Sequence, residues 1–168
     1  MSSNPHEIIP ELELNWELAT GMLERFIDTT TRKAGFDKLV VGLSGGVDSA
    51  LATALAVRAL GKENVHPIAL PHRTSNPKSL VHAQMMADSL GLELEKIDIT
   101  PMADPFLKLK PEMSQVRLGN IFARLRMIAL FDAAAENDAL VLGTGNKTEV
   151  LLVYTTWHGD NAASFNPS

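Results

Sequence analysis

Ser44-Gly45-Gly46-Val47-Asp48-Ser49 decides the fold. Ahead of it, residues 38–43 carry Leu39, Val40 and Val41, apolar and mostly β-branched, over the length of a buried strand. Behind it, residues 50–60 are rich in Ala and Leu and predict a helix. A glycine pair between strand and helix lets the backbone turn tightly and approach a ligand closely. The loop amides and the positive end of the helix then form an anion site. Asp48 adds a carboxylate, which makes chemical sense if a divalent cation accompanies the anion. The run lacks the G-x-x-x-x-G-K-[ST] pattern and its phosphate-binding lysine, so it is not the common phosphate loop. The plain alternative is a turn that contains Gly-Gly, but serines on both sides and Asp48 between them favour a nucleotide site.

Working outward, residues 14–33 place Leu14, Leu18, Met22, Phe26 and Ile27 at helical spacing, and Gly35 closes that helix. Residues 1–11, polar with two prolines, are expected to lie loosely on the surface. A second strand is expected over 65–70, a helix over 78–90 ended by Gly91, and a third strand over 93–98. Pro101, Pro105 and Pro111 make 100–112 a loop with at most a short helical turn. A long helix follows over 116–137, then a continuous apolar strand over 139–143 and another helix over 147–154. This alternation predicts an α/β domain of three layers, a parallel sheet with helices on both faces. Ligand loops would then gather at the carboxyl ends of the strands, after Leu43, Leu70 and Gly143. In the second loop, Arg73 or His72 is a nucleotide contact or a solvated loop residue; Arg73 is the candidate nucleotide contact.

At 168 residues, 45% of them hydrophobic, the chain suits one domain with a real core. A net charge of −5 gives no support to nonspecific nucleic-acid binding. With no cysteine there are no disulfides or thiolate chemistry, which fits a reducing, cytoplasmic setting. No secretory signal and no stretch of membrane-spanning length is visible, so neither a nucleic acid nor a membrane is an expected partner.

Two further groupings carry chemistry. Gly143-Thr144-Gly145-Asn146 repeats the strand-to-helix logic, with Thr144 offering a hydroxyl and Glu149 lying in the next helix. If the first and fourth strands are neighbours, Asp48 and Glu149 face one Mg²⁺ with phosphate oxygens between them. Glu149 alone would read as a helix-start residue favoured by the macrodipole. On the long helix, Arg117, Asn120 and Arg124 share one face while Arg126 points elsewhere. That face is a solvated stripe or a clamp for a carboxylate or other anion.

The hexapeptide resembles the pyrophosphate loop of the N-type ATP pyrophosphatases, whose fold is Rossmann-like, of the adenine nucleotide alpha hydrolase type. Leu118-Gly119-Asn120-Ile121-Phe122-Ala123-Arg124-Leu125-Arg126-Met127 and Leu142-Gly143-Thr144-Gly145-Asn146-Lys147-Thr148-Glu149 resemble two signatures of the NAD synthetases within that superfamily. The resemblance implies that ATP adenylates the carboxylate of deamido-NAD, releasing pyrophosphate, and that ammonia then gives NAD and AMP. It implies ATP contacts from Gly42, Leu43, Ser44, Gly45, Gly46, Val47, Asp48, Ser49 and Thr144, Mg²⁺ on Asp48 and Glu149, deamido-NAD on Arg124, and a homodimer. Ammonia is the expected donor because glutamine use requires a glutaminase, usually with a nucleophilic cysteine. The alternatives are another amide-forming ATP pyrophosphatase, or a nucleotide-binding or dimerisation module without turnover. Val153 stands where the family often has glycine. Trp157 stands where many members carry a substrate-contacting lysine, and Ser164 where some carry a substrate-contacting aspartate. Family members continue past the position of Ser168, so residues 1–168 are expected to form one nucleotide-binding domain lacking that continuation and its ATP-contacting lysine.

Overall fold

The computed structural model describes residues 14–167. The expectation for 1–11 falls outside them. In chain order the elements are α1 (Trp16–Lys33), β1 (Lys38–Gly42), α2 (Val47–Leu60), β2 (Val65–Ala69), α3 (Pro77–Leu90) and β3 (Glu95–Lys96). They continue with α4 (Thr100–Leu109), α5 (Gln115–Glu136), β4 (Ala139–Leu142) and α6 (Lys147–Leu152). The sheet is parallel in the order β3-β2-β1-β4. β1 and β4 are therefore neighbours, with Val41 opposite Leu142.

The side-chain alternation of β1 builds the layers. Leu39, Val41 and Leu43 pack with Ile27 of α1, Leu55 and Ala56 of α2 and Ala83 and Ala87 of α3. Val40 faces the other way, onto Ile68, Ile99 and Ala129, Ala133 and Ala134 of α5. Small residues on α2, α3 and α5 let the helices lie close to the sheet, and each face becomes a separate core.

Two expectations need correction. The 100–112 stretch is not a loop: α4 occupies ten residues of it. Pro101 lies in the first turn, where a missing N–H costs nothing, and Pro105 is carried inside the helix. Burial of Ile99 and Ala103 and an ion pair from Arg73 to Asp104 hold that helix in place. The third strand is also shorter than 93–98: only Glu95 and Lys96, exposed at the sheet edge, pair as a ladder with β2. Single bonds continue the pairing, from Ile97 N–H to the Ala69 carbonyl and from Ile99 N–H to that of Pro71, both at 2.9 Å. At the opposite edge, Ser164 N–H donates to Val141 O and Gly143 N–H to Phe165 O, each at 2.9 Å. The last residues thus lie alongside β4.

Candidate functional site

The loops after β1, β2 and β4 meet α5 and part of the 153–162 segment around a cleft of about 990 Å³. Gly42, Leu43, Ser44, His72 and Thr144 are in its wall, with Asn120, Ala123 and Arg126 from α5.

The first loop is short because α2 already begins at Val47, not at residue 50. Its hydroxyls are spent on the loop itself. Ser44 N–H donates to Ser49 Oγ at 3.2 Å, the two hydroxyls are 3.0 Å apart, and Ser49 Oγ donates to the Gly46 carbonyl at 3.0 Å. Ser44 Oγ accepts Gly46 N–H at 3.3 Å. No side chain therefore caps α2. Asn15, Asn76, Ser114 and Asn146 do cap α1, α3, α5 and α6, and Asp98 takes the first N–H of α4. The N-terminus of α2 is left with its partial positive charge facing outward beside Asp48.

The second loop is built on His72, which is 4% exposed and stacks on Phe122 with ring centroids 4.2 Å apart. Its Nδ1 lies 2.9 Å from Thr74 Oγ1 and 3.2 Å from Thr74 N, and its Nε2 is buried with no hydrogen-bond partner among the described residues. Burial first, then the charge of Arg73, hold this imidazole below 6.5 and hence neutral. Arg73 itself leans away from the cleft: its N–H donates to Thr100 Oγ1 at 2.9 Å and its Nη1 to Asp104 Oδ2 at 2.6 Å.

On α5 the two arginines divide. Arg124 is exposed at the rim, donating to the carbonyls of Trp157 at 3.2 Å and Asn120 at 3.5 Å. Arg126 is half-buried in the cleft wall, its Nε donating to Leu70 O at 2.9 Å. Asn120 Oδ1 accepts the Thr156 hydroxyl at 2.9 Å, and Asp160 accepts Thr156 N–H at 2.6 Å. The 155–160 stretch thereby folds across α5, adding Thr155, Thr156 and Asp160 to the cleft. Sequence reasoning found no role for them; the four-residue spacing of Thr156 and Asp160 is the only local signal.

Of the candidate residues, Gly42, Leu43, Ser44 and Thr144 line the cleft, whereas Gly45, Gly46, Val47, Asp48, Ser49, Arg73, Arg124 and Glu149 do not. Glu149 Oε2 accepts Asn146 N–H at 3.1 Å while Glu149 N–H donates to Asn146 Oδ1 at 2.9 Å, a reciprocal cap on α6. Its second carboxylate oxygen and the exposed Asp48 make no hydrogen bond among the described residues. Those residues also contain no cluster of three His, Asp or Glu. Magnesium does not need one, because it typically keeps waters and phosphate oxygens beside one or two carboxylates. Asp48 and Glu149, hard oxygen donors in the first turns of the helices that follow the paired strands β1 and β4, are of the type that ion takes.

The NAD synthase family model matches residues 20–168. An NH(3)-dependent NAD(+) synthetase of Chlorobium phaeovibrioides is 48% identical over 159 residues, 95% of this chain and 57% of that protein. An NH3-dependent NAD synthetase structure from Campylobacter jejuni superposes with a TM-score of 0.87 at 41% identity, covering 92% of this chain and 67% of that one. An NMN synthetase from Francisella tularensis gives a TM-score of 0.84 at 29% identity, covering 92% and 65%. The chain spans little more than half the length of the curated relatives it matches.

Proposed function

The chain belongs to the NAD synthase family, and from that premise we propose that it binds ATP, deamido-NAD and ammonia and forms NAD. The observation that carries this reading is the uncapped start of α2 behind a serine- and glycine-built loop, at the edge of the cleft. A deamido-NAD carboxylate oxygen would attack the α-phosphorus of ATP, the bond to pyrophosphate would break, and an acyl-adenylate would form. Ammonia would then attack the carbonyl carbon, lose its proton to solvent and expel AMP. The amide of Gly45 and the uncapped α2 terminus would hold the pyrophosphate as its charge develops. Ser44 and Thr144 would contact ATP, and Arg124 would meet deamido-NAD at the rim. Asp48 and Glu149 would hold Mg²⁺, which supplies charge screening for the leaving pyrophosphate. No side chain acts as a nucleophile; positioning and charge neutralisation do the chemistry. A homodimer and a cytoplasmic location complete the proposal. Among the described residues no helix is long and apolar enough to cross a membrane.

The test is incubation of the 168-residue chain with ATP, Mg²⁺, deamido-NAD and ammonia, following NAD, AMP and pyrophosphate. We expect equal amounts of the three products, at a rate far below that of the Chlorobium phaeovibrioides relative at equal concentration. The chain tested covers 57% of that relative, and each charged contact supplied by its remaining residues is worth about 1.5–3 kcal/mol. ATP binding with no AMP formed would instead favour a binding module. A rate matching the relative would show that those extra residues contribute nothing to turnover.

A further inference from the structure

Arg126 lies two residues beyond Arg124, about 200° around the helix, and that rotation carries it from the solvent face to the cleft wall. Its Nε is fixed on the Leu70 carbonyl at the carboxyl end of β2. Among the described residues this is its one hydrogen bond, and no carboxylate pairs with it. Burial lowers its pKa with no acidic neighbour to offset the effect, yet a guanidinium does not give up its proton. The other six arginines are all exposed. Three of them, Arg32, Arg58 and Arg73, also hold carboxylates. Arg126 is thus the one half-buried arginine without a counter-charge.

A cation withdrawn from water without a partner is costly, and such groups are normally paired. His72, whose pKa the charge of Arg126 helps to lower, gives no compensation, because an imidazole is either neutral or itself a cation. With Nε anchored, the outer edge of the guanidinium is the part left for a ligand. Its planar fork matches two oxygens of a phosphate or carboxylate.

We propose that Arg126 supplies the fixed positive charge for an oxyanion, phosphate or carboxylate, of the ligand that fills this cleft. That the ligand is an adenine nucleotide rests on the function proposed above; the missing counter-charge does not.

Calorimetric titrations of the wild-type chain, Arg126→Gln and Arg126→Lys with adenosine, AMP, ATP·Mg²⁺, pyrophosphate and nicotinate test the assignment. Arg126→Gln should weaken at least one anionic probe by about 10- to 100-fold. Adenosine affinity should stay within about twofold, and Arg126→Lys should regain much of the loss. The probe that responds identifies the anion: AMP the phosphate next to the nucleoside, pyrophosphate the leaving group, nicotinate the carboxylate. Equal losses for adenosine and AMP would make Arg126 a purely structural link to Leu70 and overturn the proposal. So would unchanged anion affinities, or a wild-type chain that binds no anion. Wild-type binding of pyrophosphate or nicotinate through Arg126, with no nucleoside or nucleotide bound, would sink the nucleotide reading and leave this assignment standing.

Discussion

Gly45 has φ +81°, and a Cβ built there would fall 2.2 Å from the carbonyl oxygen of Ser79 in the first turn of α3. Both facts demand glycine: the left-handed backbone disfavours a side chain, and the neighbour is backbone that cannot swing aside. Gly45→Ala should cost at least about 1–2 kcal/mol and weaken ATP binding, read by urea denaturation and by titration. A variant with wild-type stability would show that the loop does not press on α3 as described. His72 and His66 define a second residue-scale property. Burial pushes both pKa values below 6.5, aided by the charge of Arg73 for one and Lys38 for the other. The unfolded chain therefore takes up protons that the folded chain refuses. Stability should be level above about pH 7.5, fall as pH drops through 6.5, and level off once the folded imidazoles protonate. Melting temperature against pH should show this slope before the carboxylate range is reached, and His72→Asn should flatten it. An unchanged slope in that variant would remove His72 from the account.

At the scale of elements, α6 ends where the sequence departs from its family. Val153 is held at φ +54°, with Tyr154 N–H on the Glu149 carbonyl at 2.9 Å. A β-branched residue pays for this left-handed position, and glycine does not. Val153→Gly should therefore raise stability by about 1 kcal/mol, read as a higher urea midpoint; a lower midpoint would mean that the Val153 side chain contributes more than its backbone strain costs. The departure from the family glycine was visible in the sequence, but its meaning needed the dihedral angle. The reverse holds for α4. Its prolines advertised a loop, and only packing of Ile99 and Ala103 explains why the backbone closes into a helix around Pro105. Propensity is a local preference of a kcal/mol or so per residue, about 3 for proline, and tertiary burial overrides it.

For the whole molecule, α1 presents Trp16, Leu18, Met22 and Phe26 to solvent, the last three lining an open groove of about 830 Å³. A second copy covering this face would give the proposed homodimer, with a self-complementary interface. Sedimentation should show association at micromolar concentration, and Met22→Glu should shift it toward monomer; monomer alone across that range would overturn the dimer. The sequence by itself determined the strand–loop–helix alternation, the glycine loop after β1 and the presence of all three ligand loops at one sheet edge. Those features depend on residues near one another in the chain: apolar runs of strand length, glycines at turns, helical spacing. Only the tertiary structure decided which polar groups face the cleft. It turned Arg73 onto Asp104, buried His72 against Phe122, set Asn120 against Thr156 and left Arg126 rather than Arg124 in the wall. Each of those outcomes joins residues distant in sequence, and the charge or exposure of a side chain follows from such neighbours, which no local pattern records.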